Sequence, residues 1–355
     1  MTSMDCCHEC GVPSFITSEH VWLNNGVIVQ NRDSRNRMVF IDETSIEPVF
    51  QGIERIVGVP LEQILIAAKR KVVKPYLDSL IPEMTKELLR KREISWKHIN
   101  EAFITQASLM GYGEYAVVDY CFEKDAANYI IENISEPYSV PLAAGDMTGA
   151  FEILFDCRLG TECREISKDL YELKCHVAPH DKAMEGRMHF RHFPLKAGNV
   201  ELERCESCGG PVALSQYTWH PERGVILNDT NGTRMILTGM ELDAIFHELE
   251  KELGEAIPSA VIKAKHDVVR YGSYPIEGRS RRGMQTDLAL RGMGNIVELR
   301  SNEKGMHIKI ENAFLHLIEI GLVQGLYEKA FDVDTQLEWE FSEQGDLEID
   351  VTPIS

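Results

Sequence analysis

The chain has 355 residues, 44% of them hydrophobic and 26% charged, the composition of an ordinary globular protein long enough for two or three domains. Its formal charge of -19 disfavours nucleic acid and anionic membrane surfaces as partners. Nine cysteines, an odd number, do not make a secreted disulfide framework, and together with a polar N-terminus and no long apolar run they predict a cytoplasmic protein.

The first motif in chain order is the turn Cys7-His8-Glu9-Cys10-Gly11, followed by short extended runs over 21–30 and 37–41 separated by an Asn- and Asp-rich turn. A Cys-x-x-Cys-Gly turn followed by a hairpin predicts a zinc-ribbon-like lobe. Helices are expected over 45–57, opened by Ser45 as a cap, and over 61–76. A charged helical stretch (83–92) comes next, and beyond Gly111 the pattern becomes extended (116–122 and 126–131). A glycine-punctuated helix over 143–155 and an alternating strand over 170–177 complete this part.

The same order then recurs. Cys205-Glu206-Ser207-Cys208-Gly209 matches Cys7–Gly11 at an offset of 198, and Trp22, Arg37-Met38 and Ala68-Lys69 are answered by Trp219, Arg234-Met235 and Ala264-Lys265. Met110-Gly111 is matched to Met293-Gly294, Ile131-Glu132-Asn133 to Ile310-Glu311-Asn312, and Gly149 with Glu152 to Gly325 with Glu328. A tandem duplication is therefore expected. Its parts are a ribbon lobe (1–44), an α/β domain (45–180), a linker (181–200), a second lobe (201–240) and a second domain (241–355). The fold class is α+β.

Two thiolates make half a tetrahedral site, so the economical arrangement joins Cys7, Cys10, Cys205 and Cys208 on one cation across a local twofold axis. Zinc is the leading expectation. Iron in a rubredoxin-like site has the same ligands, and a redox dithiol is a further alternative, opposed by the lack of a βαβ pattern. Cys6 and His8 are read as bystanders, and Cys121, Cys157, Cys163 and Cys175 as core residues, Cys157 standing opposite a buried Val333. His176, His180, His189 and His192, with Arg187 and Arg191, are assigned to the linker region. Gly111-Tyr112-Gly113 lacks the third glycine and the helix of a dinucleotide site. The basic loop 277–283 is read as an exposed segment, with an anionic ligand or a partner carboxylate as the sharper alternative.

The stretch Gly111-Tyr112-Gly113, Ile131-Glu132-Asn133, Ala144–Glu152 and Cys175-His176-Val177 resembles the 4-vinyl reductase, or hydrocarbon-binding, domain family, and 294–351 carries a similar skeleton. Each resemblance spans about 65 to 70 residues. It departs from the family in the wide spacing of Cys163 and Cys175 and in the loss of both from the second copy. The resemblance implies a pocket for a small apolar, aromatic or tetrapyrrole-like molecule beneath the glycine helix, lined by Gly145, Gly149 and Phe151 and by Gly321, Gly325 and Tyr327. It also implies a sensory or accessory role with a protein partner or a homodimer. The competing expectation is a subunit of a redox or tetrapyrrole-handling enzyme that uses the thiolate-bound metal.

Overall fold

A computed structural model describes residues 5–121, 128–178, 190–272 and 281–354. The fold is mixed α+β with antiparallel sheets. The N-terminal half runs α1 (Ser14–Glu19), β1 (His20–Trp22), β2 (Ile28–Gln30), β3 (Arg37–Asp42), α2 (Glu47–Val57), α3 (Glu62–Leu80), α4 (Glu83–Arg90), α5 (Lys97–Leu109), β4 (Glu114–Cys121), β5 (Tyr129–Ser135), α6 (Val140–Phe155), β6 (Leu159–Ser167) and β7 (Leu170–Val177). The C-terminal half runs β8 (Tyr217–His220), β9 (Val225–Asn228), β10 (Arg234–Gly239), α7 (Glu241–Leu253), α8 (Ile257–Tyr271), α9 (Arg281–Leu290), β11 (Asn295–Asn302), β12 (Gly305–Glu311), α10 (His316–Phe331), β13 (Thr335–Phe341) and β14 (Leu347–Pro353). Among the described residues, the longer elements α2 to β7 are repeated by α7 to β14 except for α4. The two four-stranded sheets also share one strand order, β4-β5-β7-β6 and β11-β12-β14-β13.

The chain forms two compact units. One comprises Met1–Val59, Phe190–Thr218 and Leu227–Ser355; the other comprises Pro60–His189 and Trp219–Ile226. Sequence halves and units differ because Met1–Val59 groups with the second half and the second hairpin's tip, Trp219–Ile226, with the first. The tip of the first hairpin meets the second half's sheet, where the Gly294 N–H donates to Gly26 O at 2.9 Å. The tip of the second hairpin meets the first half's sheet, where the Gly113 N–H donates to Gly224 O, also at 2.9 Å. Both tip glycines have positive φ, and a Cβ on either would lie about 2 Å from the facing carbonyl oxygen, so only glycine fits. Helix α2 likewise packs on α8 of the other half, with Gly52 against Ala264.

In the first unit, β3 and β10 pair antiparallel in the register Met38↔Gly239, Phe40↔Leu237, Asp42↔Met235. Since Met38 matches Met235 in sequence, this register places a local twofold axis at the Phe40–Leu237 pair, in the middle of the six-stranded sheet β1-β2-β3-β10-β9-β8. The ladders also correct part of the sequence matching. Gly113 and Gly294 occupy the same position, with φ of +107° and +112°, and Ile134 pairs with Tyr171 as Ile310 pairs with Leu347. The pairings expected for Met110-Gly111 and Ile131–Asn133 therefore run two and three residues out of step. Recurring short strings suggested them, whereas positive-φ glycines and ladder register align the two sheets differently.

Other local expectations shift for similar reasons. Ser45 lies in a 3-10 turn rather than capping a helix, because its hydroxyl bonds Asp42 and α2 begins at Glu47 with Pro48 behind it. Helix α3 continues through Pro75 to Leu80. In the linker, 181–189 lies outside the described residues, as do His180, His189 and Arg187. Residues 190–200 form a bound strap, with Phe193 edge-on to Phe341 and seated on Gly345, and with Asn25 Nδ2 donating to Lys196 O at 2.8 Å. His176 is on β7, opposite Gly160, and His192 lies in the strap. Residues 277–280 of the basic loop are likewise outside the described residues.

Candidate metal centre

Each Cys-x-x-Cys segment folds as a knuckle. The Cys7 N–H donates to Val12 O and the Gly11 N–H to Cys7 O, both at 2.9 Å; Cys205 with Gly210 and Gly209 with Cys205 make the same two bonds. Gly11 and Gly209 turn the chain with φ of +74° and +71°. This curls backbone amides around the first sulfur of each turn. The N–H groups of Cys10 and Glu9 aim at Cys7 and bring its thiol down to about 6; those of Cys208 and Ser207 aim at Cys205, but burial and the hydrogen bonds to Glu9 and Cys7 outweigh them and push that thiol up to about 12.

The two knuckles meet sulfur to sulfur. Cys7 Sγ lies 3.6 Å from Cys205 Sγ, Cys10 Sγ lies 3.6 Å from Cys208 Sγ, and all four sulfurs fall within 4.8 Å of one another. Disulfides require about 2.05 Å, and all four thiols are free. Four sulfurs around one tetrahedral ion at a metal–sulfur distance of 2.3 Å sit roughly 3.8 Å apart, so this set fits such an ion. Cys205 is buried and the others half-buried, and Glu9 Oε2 braces the far knuckle by accepting from the Ser207 N–H at 3.1 Å and from Cys205 Sγ at 3.2 Å. Cys6 and His8 are not part of the four-thiol cluster. Cys6 bridges to Pro13, and His8 Nε2 lies 3.4 Å from Ser207 Oγ.

The glycine helices do not offer the pocket face expected of them. Gly145 and Gly149 face α3, where an added Cβ would meet Lys69 Cβ at 2.6 Å and Val73 Cγ1 at 2.3 Å; Gly321 and Gly325 face Ile262 O at 2.4 Å and Val269 Cβ at 2.8 Å of α8. Close helix crossing is their physical role. Phe151 is buried edge-on to Trp96, and the Tyr327 hydroxyl donates to Asn302 O at 2.9 Å. A buried glutamate at the end of each helix ties it to the next strand: Glu152 accepts from Arg70, Lys74 and the Leu159 N–H, and Glu328 from His266, Arg270 and the Thr335 N–H.

Beneath these helices the two modules differ. Where the second has Ile308, Val351, Leu337 and Gln324, the first has Glu132, Cys175, Thr161 and Thr148. Thr161 Oγ1 lies 3.3 Å from Cys175 Sγ, and Asn100 Nδ2 donates to Glu132 at 3.3 Å. Burial pushes Cys175 up to about 12 and Glu132 up to about 7. Of the other core-assigned thiols, Cys121, Cys157 and Cys163 are half-buried, as is Val333. Buried Glu132 makes stability depend on pH. Its unfolded pKa is near 4.3, so between about pH 4 and 7 the unfolded chain ionises first and stability falls, by up to about 3 kcal/mol above pH 7. Glu132→Gln is expected to recover that amount at pH 8 and nothing at pH 4, read by urea unfolding at both pH values; equal effects at the two would refute it.

A further buried ionic cluster, in the first unit, follows no local motif. Lys265 Nζ contacts Asp42 Oδ1 at 3.3 Å, Thr44 Oγ1 at 3.2 Å and Ser45 Oγ at 2.8 Å, while Arg291 donates to Asp42 Oδ2 at 2.7 Å and to Phe40 O at 3.0 Å. Nearby, buried Arg37 donates to the Asn312 and Ala313 carbonyls. Among the described residues, no helix is long and apolar enough to cross a membrane. Comparison of the chain with protein-family models, curated proteins and solved structures finds no match.

Proposed function

We propose that the chain is a tandem duplication in which a structural zinc, held by Cys7, Cys10, Cys205 and Cys208, locks two ribbon-like lobes together, and that its α/β modules bind a small molecule in a sensory or accessory role. The observation carrying this reading is the convergence of four thiols, nearly 200 residues apart in pairs, at the spacing of one tetrahedral ion. The common element order and strand order of the two modules support the duplication. The ligand reading rests on the resemblance to hydrocarbon-binding domains. The polar interior of the first module favours that module as the site, since the second module fills the same positions largely with apolar side chains and burying a carboxyl costs stability.

Elemental analysis and an absorption spectrum of the purified chain test the metal, and native mass spectrometry tests the ligand. The expected result is about one zinc per chain, no visible colour, and bound mass beyond chain plus zinc. Iron with visible thiolate bands would replace this reading with the redox or tetrapyrrole-handling one. Absence of any metal would overturn the four-thiolate site.

A further inference from the structure

The second unit contains a cleft of about 230 Å³ between α3, α4 and the C-terminal end of α6. Its wall is built by α4, the helix with no counterpart in the other half among the described residues. Four cations line it against three carboxylates, an inverted balance in a chain of charge -19. Three of the cations have partners: Lys74 holds Glu152 at 3.0 Å, Lys86 holds Asp78 at 2.9 Å, and Arg90 reaches Asp156 at 3.5 Å. The fourth, half-buried Arg158, has no hydrogen bond or ion pair from its guanidinium among the described residues.

The other half answers the same position differently. Asp156 and Asp332 are the matching left-handed helix ends, so Arg158 corresponds to Asp334; Lys74 corresponds to Arg270, since each pairs with its half's buried glutamate, Glu152 or Glu328. Asp334 pairs with Arg270 at 2.8 Å, so this corner places an acid where the other has Arg158. Helix-end packing alone thus needs no arginine here. A guanidinium presents a planar fork of donors matched to an oxyanion, and in a partly enclosed cleft with Lys74 and Lys86 nearby it loses less to solvent screening than on an open surface.

We propose that this cleft is a binding site for a small oxyanion, a phosphate or carboxylate group, with Arg158 as its principal donor. The test is isothermal titration of the metal-loaded full chain with inorganic phosphate and, separately, with succinate, at low and at raised sodium chloride. Saturable one-to-one binding of either anion is expected, weakening with salt and falling at least tenfold in Arg158→Asp, which installs the other half's residue. The anion that binds identifies the ligand class. Arg300→Asp, the same charge change on β11 in the other unit, is expected to bind as the parent does, and Arg158→Gln, which keeps the polar stem, to bind as weakly as Arg158→Asp. No saturable binding of either anion, or equal weakening in Arg158→Asp and Arg300→Asp, would overturn the proposal.

Discussion

Replacing Cys208 by serine is expected to abolish stable metal binding and to lower the midpoint of thermal unfolding more than any other single thiol substitution outside the site. Removing one thiolate leaves three ligands and an open position, so a site built to be closed loses its affinity. Structural zinc contributes apparent binding free energy on the order of 10 kcal/mol, comparable to the net stability of a whole domain. The observed loss will be smaller, because unfolded cysteines bind metal too and because the β3–β10 ladder still joins the lobes. Metal content per chain and differential scanning calorimetry, with and without a chelator, read the result. A variant that keeps its metal, or a parent indifferent to chelation, would refute the structural role. Cys6→Ser is the matched control and is expected to retain full metal content.

The second large effect is expected at Asp42. This carboxylate stands between the Lys265 ammonium and the Arg291 guanidinium, with every side chain of the trio at most 8% exposed. Burial alone would raise its pKa, but the two cations and the hydroxyl of Thr44 hold it well below the usual carboxylate range, while burial lowers that of Lys265. Asp42→Ala strands two buried cations, and breaking such a pair costs about 3 to 5 kcal/mol. Urea unfolding at pH 7 should show that loss while the metal content stays unchanged. The double variant Asp42→Ala, Lys265→Met should recover part of it, because one uncompensated charge leaves with the lysine. A cost below 1 kcal/mol for Asp42→Ala would mean that water reaches the cluster.

The four clustered thiols were legible in the sequence because the signal is local and chemical. A Cys-x-x-Cys-Gly turn is specified by five adjacent residues, and its recurrence at one offset identified the other half of the site. The glycine helices were legible as elements but not in role. Gly145, Gly149, Gly321 and Gly325 announce close approach of something, and only the tertiary structure identifies it as α3 and α8. The cleft at Arg158 was not legible at all, since its cations come from two helices, α3 and α4, and the segment after α6, and since the correspondence of Arg158 with Asp334 is set by ladder register.

The sequence by itself determined the α+β class, the order of α2, α3, α4, β4, β5, α6 and β7 and the four thiols, because each is written in contiguous periodicity or in a short motif, whereas α5 and α9 emerge only in the structure. Tertiary structure alone decided that the hairpin tips are exchanged between halves, that the first unit draws on three separate stretches of chain, and that Asp42, Lys265 and Arg291 share one buried site. The physical reason lies in the range of the interactions. Turn chemistry and amphipathic spacing act over a few residues, whereas strand pairing at β3–β10 and charge compensation at Asp42 join groups about 200 or more residues apart, whose partners no local pattern names.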